Sequence, residues 1–71
     1  LKFMKEANSL FPQLTLLSIA NHEYFIKKDS SIRVPILIYK SKVALSNIDK
    51  LKLQNWTTEK FNLDTLVIIK E

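Results

Sequence analysis

The clearest periodic pattern in the chain is the octapeptide IRVPILIY at residues 32–39. Four β-branched side chains occupy alternate positions and share one face: Ile32, Val34, Ile36 and Ile38. Such side chains fit a pleated strand, so the pattern predicts a β-strand over residues 32–39. Because proline cannot donate a hydrogen bond to a neighbouring strand, Pro35 indicates an edge strand, or a strand whose proline faces a gap.

The residues before this strand predict a hairpin. Apolar residues occupy both faces of residues 14–20, with Leu14, Leu16 and Ala20 on one face and Leu17 and Ile19 on the other. Apolar residues on both faces are typical of a central strand. Asn21 and His22 form a weak break, after which residues 23–28 predict a shorter strand. The polar residues 29–31 then suit a hairpin loop.

Two helices are predicted, one on each side of these strands. Residues with helical spacing near the start indicate a helix of about ten residues that ends before Pro12: Phe3, Ala7, Leu10 and Phe11. Ser46 followed by Asp49 resembles a helix-starting pair and predicts a helix from Asn47 to about Asn55, which would bury Ile48 and Leu51 beside Leu45. The alternative for residues 47–55 is a strand, because lysines alternate there with leucines.

The last apolar run, residues 66–69, predicts a terminal strand, and a helix capped by Asn62 is the alternative. The whole pattern therefore predicts an α+β domain with a small, mainly antiparallel sheet of three to four strands and one or two covering helices. The expected order is α-β-β-β-α-β. We expect residues 1–71 to form a single domain, cut from a longer chain.

Composition argues against catalysis. The 71 residues contain no glycine, no cysteine and one histidine. Glycine-rich phosphate loops, thiol chemistry and common zinc sites all need residues that are missing. His22 next to Glu23 is the minimal pair for a general base, but neighbouring residues of an extended chain point to opposite faces. We therefore expect no enzyme, no cofactor, no metal and no small-molecule ligand.

Positive charge is concentrated in residues 27–52, where seven basic residues stand against Asp29 and Asp49, a net charge of +5. The basic residues are Lys27, Lys28, Arg33, Lys40, Lys42, Lys50 and Lys52. With Tyr24, Phe25 and Tyr39 among them, this stretch suits phosphate contacts and base stacking. For each of these three aromatic side chains, however, packing in the core is the favoured prediction. Lysine lacks the planar fork of arginine, so we expect little base specificity. The alternative is a solvated lysine face that keeps the domain soluble.

We favour a non-catalytic protein-interaction or assembly module that associates with itself through the edge strand 32–39 and an exposed apolar patch. Nucleic-acid binding is the alternative. The apolar residues exceed what one helix can cover, so some of them should contact another protein or a second copy of the chain. The expected interface residues are Ile32, Val34, Ile36, Ile38 and Trp56. The alternative for Trp56 is a lid over the small core. The apolar runs are too short to span a membrane, and the lack of cysteine favours an intracellular location.

Overall fold

The computed structural model describes residues 2–71 and shows an α+β fold. Its elements are α1 (Lys2–Leu10), β1 (Leu14–Ile26), β2 (Ser30–Ser41), α2 (Asn47–Phe61) and β3 (Val67–Lys70). The α+β class, the helix beginning at Asn47 and the terminal strand are confirmed. The order is α-β-β-α-β, because the two strands predicted before the hairpin loop form one continuous strand.

The three strands form one mixed sheet in the order β1-β2-β3. β1 and β2 are antiparallel neighbours, whereas β3 returns through α2 and pairs parallel to β2 over Ile36–Tyr39. The prediction that residues 32–39 form an edge strand is therefore wrong, since β2 is central. Edge position could not be read from β2 itself, because its second neighbour comes from the far end of the chain.

Pro35 nevertheless faces a gap. The carbonyl of Tyr39 accepts a hydrogen bond from the Glu71 N–H at 2.8 Å, so the Tyr39 backbone faces the β3 side. Backbone groups alternate sides along a strand, so Pro35, four residues earlier, faces the same side. The pairing with β3 begins only at Ile36. The missing N–H of Pro35 therefore removes no hydrogen bond from the sheet.

β1 differs from its prediction in two respects. Asn21 pairs with Pro35 and His22 with Val34, so the expected break is absent and β1 is a long edge strand rather than a short central one. A β-bulge between Leu14 and Leu16 also shifts the alternation by one residue. Leu14 consequently shares the face of Leu17, and not that of Leu16 as predicted.

Both helices pack on one face of the sheet. The buried core that joins them to the strands comprises Ala7, Phe11, Leu14, Leu37, Tyr39, Leu45, Leu53 and Leu66. Leu37 and Tyr39 alternate with Ile36 and Ile38 along β2, so they define the covered face of the sheet. The helices also contact each other, since Phe3 stacks on Trp56 with ring centroids 5.3 Å apart.

α2 has well-formed ends but a different buried side from the one predicted. The Ser46 hydroxyl accepts the Asp49 N–H at 3.0 Å, which confirms the helix start, and the helix continues past Asn55 to a left-handed cap at Asn62. The buried positions are Leu53 and Thr57. Ile48 and Leu51, which were expected to be buried, are 67% and 57% exposed.

The hairpin formed by β1 and β2 extends well beyond the helices. The molecule measures 43 × 23 × 21 Å, and every residue from 21 to 33 is exposed. Among residues 2–71, neither helix has the length and apolar character that crossing a membrane requires.

Candidate interaction surface

The face of the sheet opposite the helices is apolar and uncovered, and we call it the open face. Strand pairing brings its members together, for example Tyr24 opposite Ile32, and Ile36 between Ala20 and Val67. The apolar residues of the open face are Leu16, Ala20, Tyr24 and Ile26 on β1, Ile32, Val34, Ile36 and Ile38 on β2, and Val67 and Ile69 on β3.

Many of these side chains remain in contact with solvent. The exposed fractions are 42% for Tyr24, 46% for Ile26, 50% for Ile32, 39% for Val67 and 43% for Ile69. Ile36 is only 4% exposed, yet it is not part of the core cluster beneath the helices. Its neighbours on the open face shield it, which shows that these side chains already form a continuous apolar layer.

The open face is nearly free of charge. Within residues 2–71, its charged side chains are Lys40 and Glu71, which pair with each other at 3.5 Å (Nζ to Oε2). The polar residues Ser18 and His22 also lie on this face, opposite Ile38 and Val34. A chain with a net charge of +4 thus presents one surface that carries almost none of that charge.

Four of the five predicted interface residues, Ile32, Val34, Ile36 and Ile38, lie together on the open face. Trp56 does not. It lies on α2, half-buried against Phe3, with the Lys60 ammonium 6.0 Å from its ring. Its main contact is therefore internal, between the two helices.

The remaining surface of Trp56 lines a groove of about 380 Å³ between the end of α1 and the side of α2. Leu10 and Phe11 form its apolar part, and Asp49 and Glu59 lie at its rim beside Lys52. The groove is separate from the open face, because it lies in the helical layer.

The basic stretch 27–52 does not form one patch. Lys27 and Lys28 lie in the turn of the hairpin, whereas Lys40 and Lys42 lie at the opposite end of β2. At about 3.3 Å per residue, the twelve residues of β2 separate the two pairs by roughly 40 Å. Lys50 and Lys52 lie on α2. The structure thus divides a cluster that is continuous in sequence.

The tyrosines proposed for base stacking are placed differently from each other. Tyr39 is 2% exposed in the core and cannot stack on a base, so that candidate is wrong. Tyr24 is accessible on the open face. Phe25, which was expected to pack inside, is 84% exposed on the opposite face of the hairpin.

The candidate general-base pair is not assembled. His22 and Glu23 are successive residues of β1, so their side chains point to opposite faces of the hairpin. Glu23 accepts a hydrogen bond from the Ser31 hydroxyl at 2.9 Å. Among residues 2–71, no cluster of histidine and acidic side chains has the geometry to hold a metal ion.

Sequence reasoning missed Ala20, Tyr24, Ile26, Val67 and Ile69 as members of the open face. Alternation along β1 and β3 was visible, but membership required the strand register and the side on which the helices pack. Ile69, for example, joins the open face only because it pairs with Ile38.

A family model described as a domain of unknown function (DUF8492) matches residues 2–71, and the chain therefore belongs to that family. No curated protein and no solved structure matches the chain.

Proposed function

We propose that this DUF8492 domain is an assembly module that associates with a second copy of itself through the open face. The main evidence for this proposal is the apolar layer that crosses all three strands on the side away from the helices. Apolar surface of this extent favours burial against another apolar surface.

The strand pattern of the hairpin supports this proposal. Beyond the helices, one face of the hairpin carries Tyr24, Ile26 and Ile32 together, while the other carries Phe25 beside Glu23 and Arg33. A hairpin exposed on both faces gains nothing from three adjacent apolar side chains on one of them, and an isolated two-stranded hairpin is only marginally stable in water. A second sheet packed on the apolar side would stabilise it.

The charge distribution supports a second copy as the partner. Two copies that each carry +4 repel each other over most of their surfaces. The open face avoids this repulsion, because its ion pair of Lys40 and Glu71 is neutral overall. An apolar, uncharged face is complementary to itself, as an interface with two-fold symmetry requires.

The area of the open face determines how strongly we expect two copies to associate. With strands up to thirteen residues long and about 4.8 Å apart, its flat footprint is roughly 40 Å by 12 Å, or about 500 Å². Two copies would bury about 1,000 Å² or somewhat more, near the lower limit for a specific interface. We therefore expect a dimer with a dissociation constant of tens to hundreds of micromolar, formed by two sheets packed face to face about 10 Å apart.

Sedimentation velocity across protein concentrations from about 10 μM to about 1 mM tests the proposal. The wild-type chain should shift from monomer to dimer within this range. Ile69→Lys and Ile32→Lys each place a charge on an exposed position of the open face, so both variants should stay monomeric while keeping the native circular-dichroism spectrum.

Ile48→Lys is the matched control, since Ile48 is also exposed but lies on α2. It should dimerise like the wild type. A wild-type chain that stays monomeric at about 1 mM would end the proposal. Dimers that persist in both open-face variants would instead indicate pairing through strand edges.

A further inference from the structure

We propose that the end of the β1–β2 hairpin binds single-stranded nucleic acid, with a base stacked on Phe25 and phosphates held by Lys27 and Lys28. This site is independent of the proposed self-association. Phe25 lies on the face of the hairpin opposite the open face, so both surfaces can be occupied in the same molecule.

The Phe25 ring is placed as a stacking platform. It is 84% exposed, more than any other large apolar side chain among the described residues. It pairs with Ser31, a small residue that leaves the ring accessible, and its neighbours on the same face of β1 and β2 are Glu23 and Arg33. Exposed rings of this kind bind unpaired bases regardless of base identity, because every base has a flat π-face.

Two lysines follow the ring closely in sequence. Lys27 and Lys28 follow Phe25 within three residues and occupy the turn, so both ammonium groups can approach the phosphates that flank a stacked base. Arg33 lies directly opposite Glu23, which offsets part of its charge. Lys27 and Lys28 are therefore the main phosphate contacts. Because lysine is a point charge without a planar fork, the site should not select a base sequence.

The order of residues favours nucleic acid over a lipid surface. A hairpin that inserts into a bilayer needs apolar residues at its outermost point, where this turn has Lys27, Lys28 and Asp29. The aromatic ring instead lies behind the turn, on the side of the hairpin. A strand that runs past this side can contact the ring and the lysines together.

Fluorescence anisotropy with a labelled oligothymidine of about 16 nucleotides, titrated at several salt concentrations, tests the site. The wild-type chain should bind in a salt-dependent manner. Phe25→Ala should weaken binding about tenfold by removing the stacking surface. The double variant K27Q/K28Q should lower the slope of log affinity against log salt by about 1.4, since each phosphate contact on a single strand contributes about 0.7.

The matched control is K50Q/K52Q, which removes two lysines of the same basic stretch from α2. It should leave both affinity and slope nearly unchanged, and Ile69→Lys should still bind the oligonucleotide. An equal loss in K50Q/K52Q would overturn the proposal, since the attraction would then be diffuse. Unchanged affinity in Phe25→Ala would also overturn it, as would binding to anionic vesicles without binding to the oligonucleotide.

Discussion

Both faces of β2 carry apolar side chains, but the helices cover only one face. Leu37 and Tyr39 are 0% and 2% exposed beneath the helices. On the other face Ile36 is 4% exposed because its neighbours shield it, whereas Ile32, nearer the turn, is 50% exposed. Side-chain type does not explain this difference. It arises because α1 and α2 pack against each other through Phe3 and Trp56 and therefore cover the same side.

The lengths of the elements explain why the far half of the hairpin stays uncovered. α2 has fifteen residues and spans about 22 Å, at 1.5 Å per residue. β1 has thirteen residues and spans about 43 Å, at 3.3 Å per residue. Helices of this length cannot protect strands that are nearly twice as long. Uncovered sheet is thus a direct consequence of where the elements begin and end.

The largest expected effect contrasts the two faces directly. Leu37→Ala should lower the free energy of unfolding by about 3 kcal/mol, because it opens a cavity beneath both helices. Ile32→Ala, on the same strand, should cost less than about 1 kcal/mol, because half of its side chain is already in water. Urea unfolding at a dilute, monomeric concentration measures both values. Equal losses would show that Ile32 contributes to the stability of the monomer as much as Leu37 does.

A smaller effect should come from weakening the helix that covers one face. Ser46→Ala removes the hydroxyl that accepts the Asp49 N–H and should lower the free energy of unfolding by about 1 kcal/mol. The control is Ser9→Ala in α1, where the hydroxyl only donates back to the Glu6 carbonyl. That control should change stability by less than about 0.5 kcal/mol in the same thermal-unfolding experiment. A Ser46 variant as stable as the wild type would mean that the cap is not needed to hold α2.

The smallest effect concerns the uncovered end of the hairpin. Lys28 has φ of 67°, a left-handed conformation that a side chain disfavours. Lys28→Gly should therefore raise the free energy of unfolding by about 0.5 kcal/mol, after allowance for the greater flexibility of glycine when unfolded. Lys27→Gly, at a position without positive φ, should lower stability instead. Calorimetry of both variants measures the two changes in stability, which should have opposite signs. Changes of the same sign would contradict this explanation.

Local signals in the sequence predicted several elements well. The alternation in residues 32–39 gave β2, and Ser46 marked the start of α2, because both signals depend on neighbouring residues. The face of Leu14 was mispredicted because the bulge near Thr15 shifts its phase by one position relative to residues 16–20. The expected break at Asn21 did not occur, since an exposed hairpin tolerates polar side chains on either face.

The candidate site was predicted only in part for similar reasons. The set Ile32 to Ile38 followed from alternation alone. For Trp56 the sequence left an interface and a lid over the core both open, because its contact Phe3 lies more than fifty residues earlier and gives no local signal. Phe25 was expected to pack inside. Its exposure could not be predicted from neighbouring residues, because it depends on how far the hairpin extends past the helices.

By itself, the sequence determined which residues alternate and where helix α2 begins. It also determined that the glycines of phosphate-binding loops and the cysteines of thiol chemistry are missing from these 71 residues. Only the tertiary structure decided that β2 is central, that both helices share one face, and that the basic stretch is divided between distant places. The physical reason is range: hydrogen-bonding and side-chain alternation act between neighbours in sequence, whereas burial depends on residues that folding brings together from opposite ends of the chain.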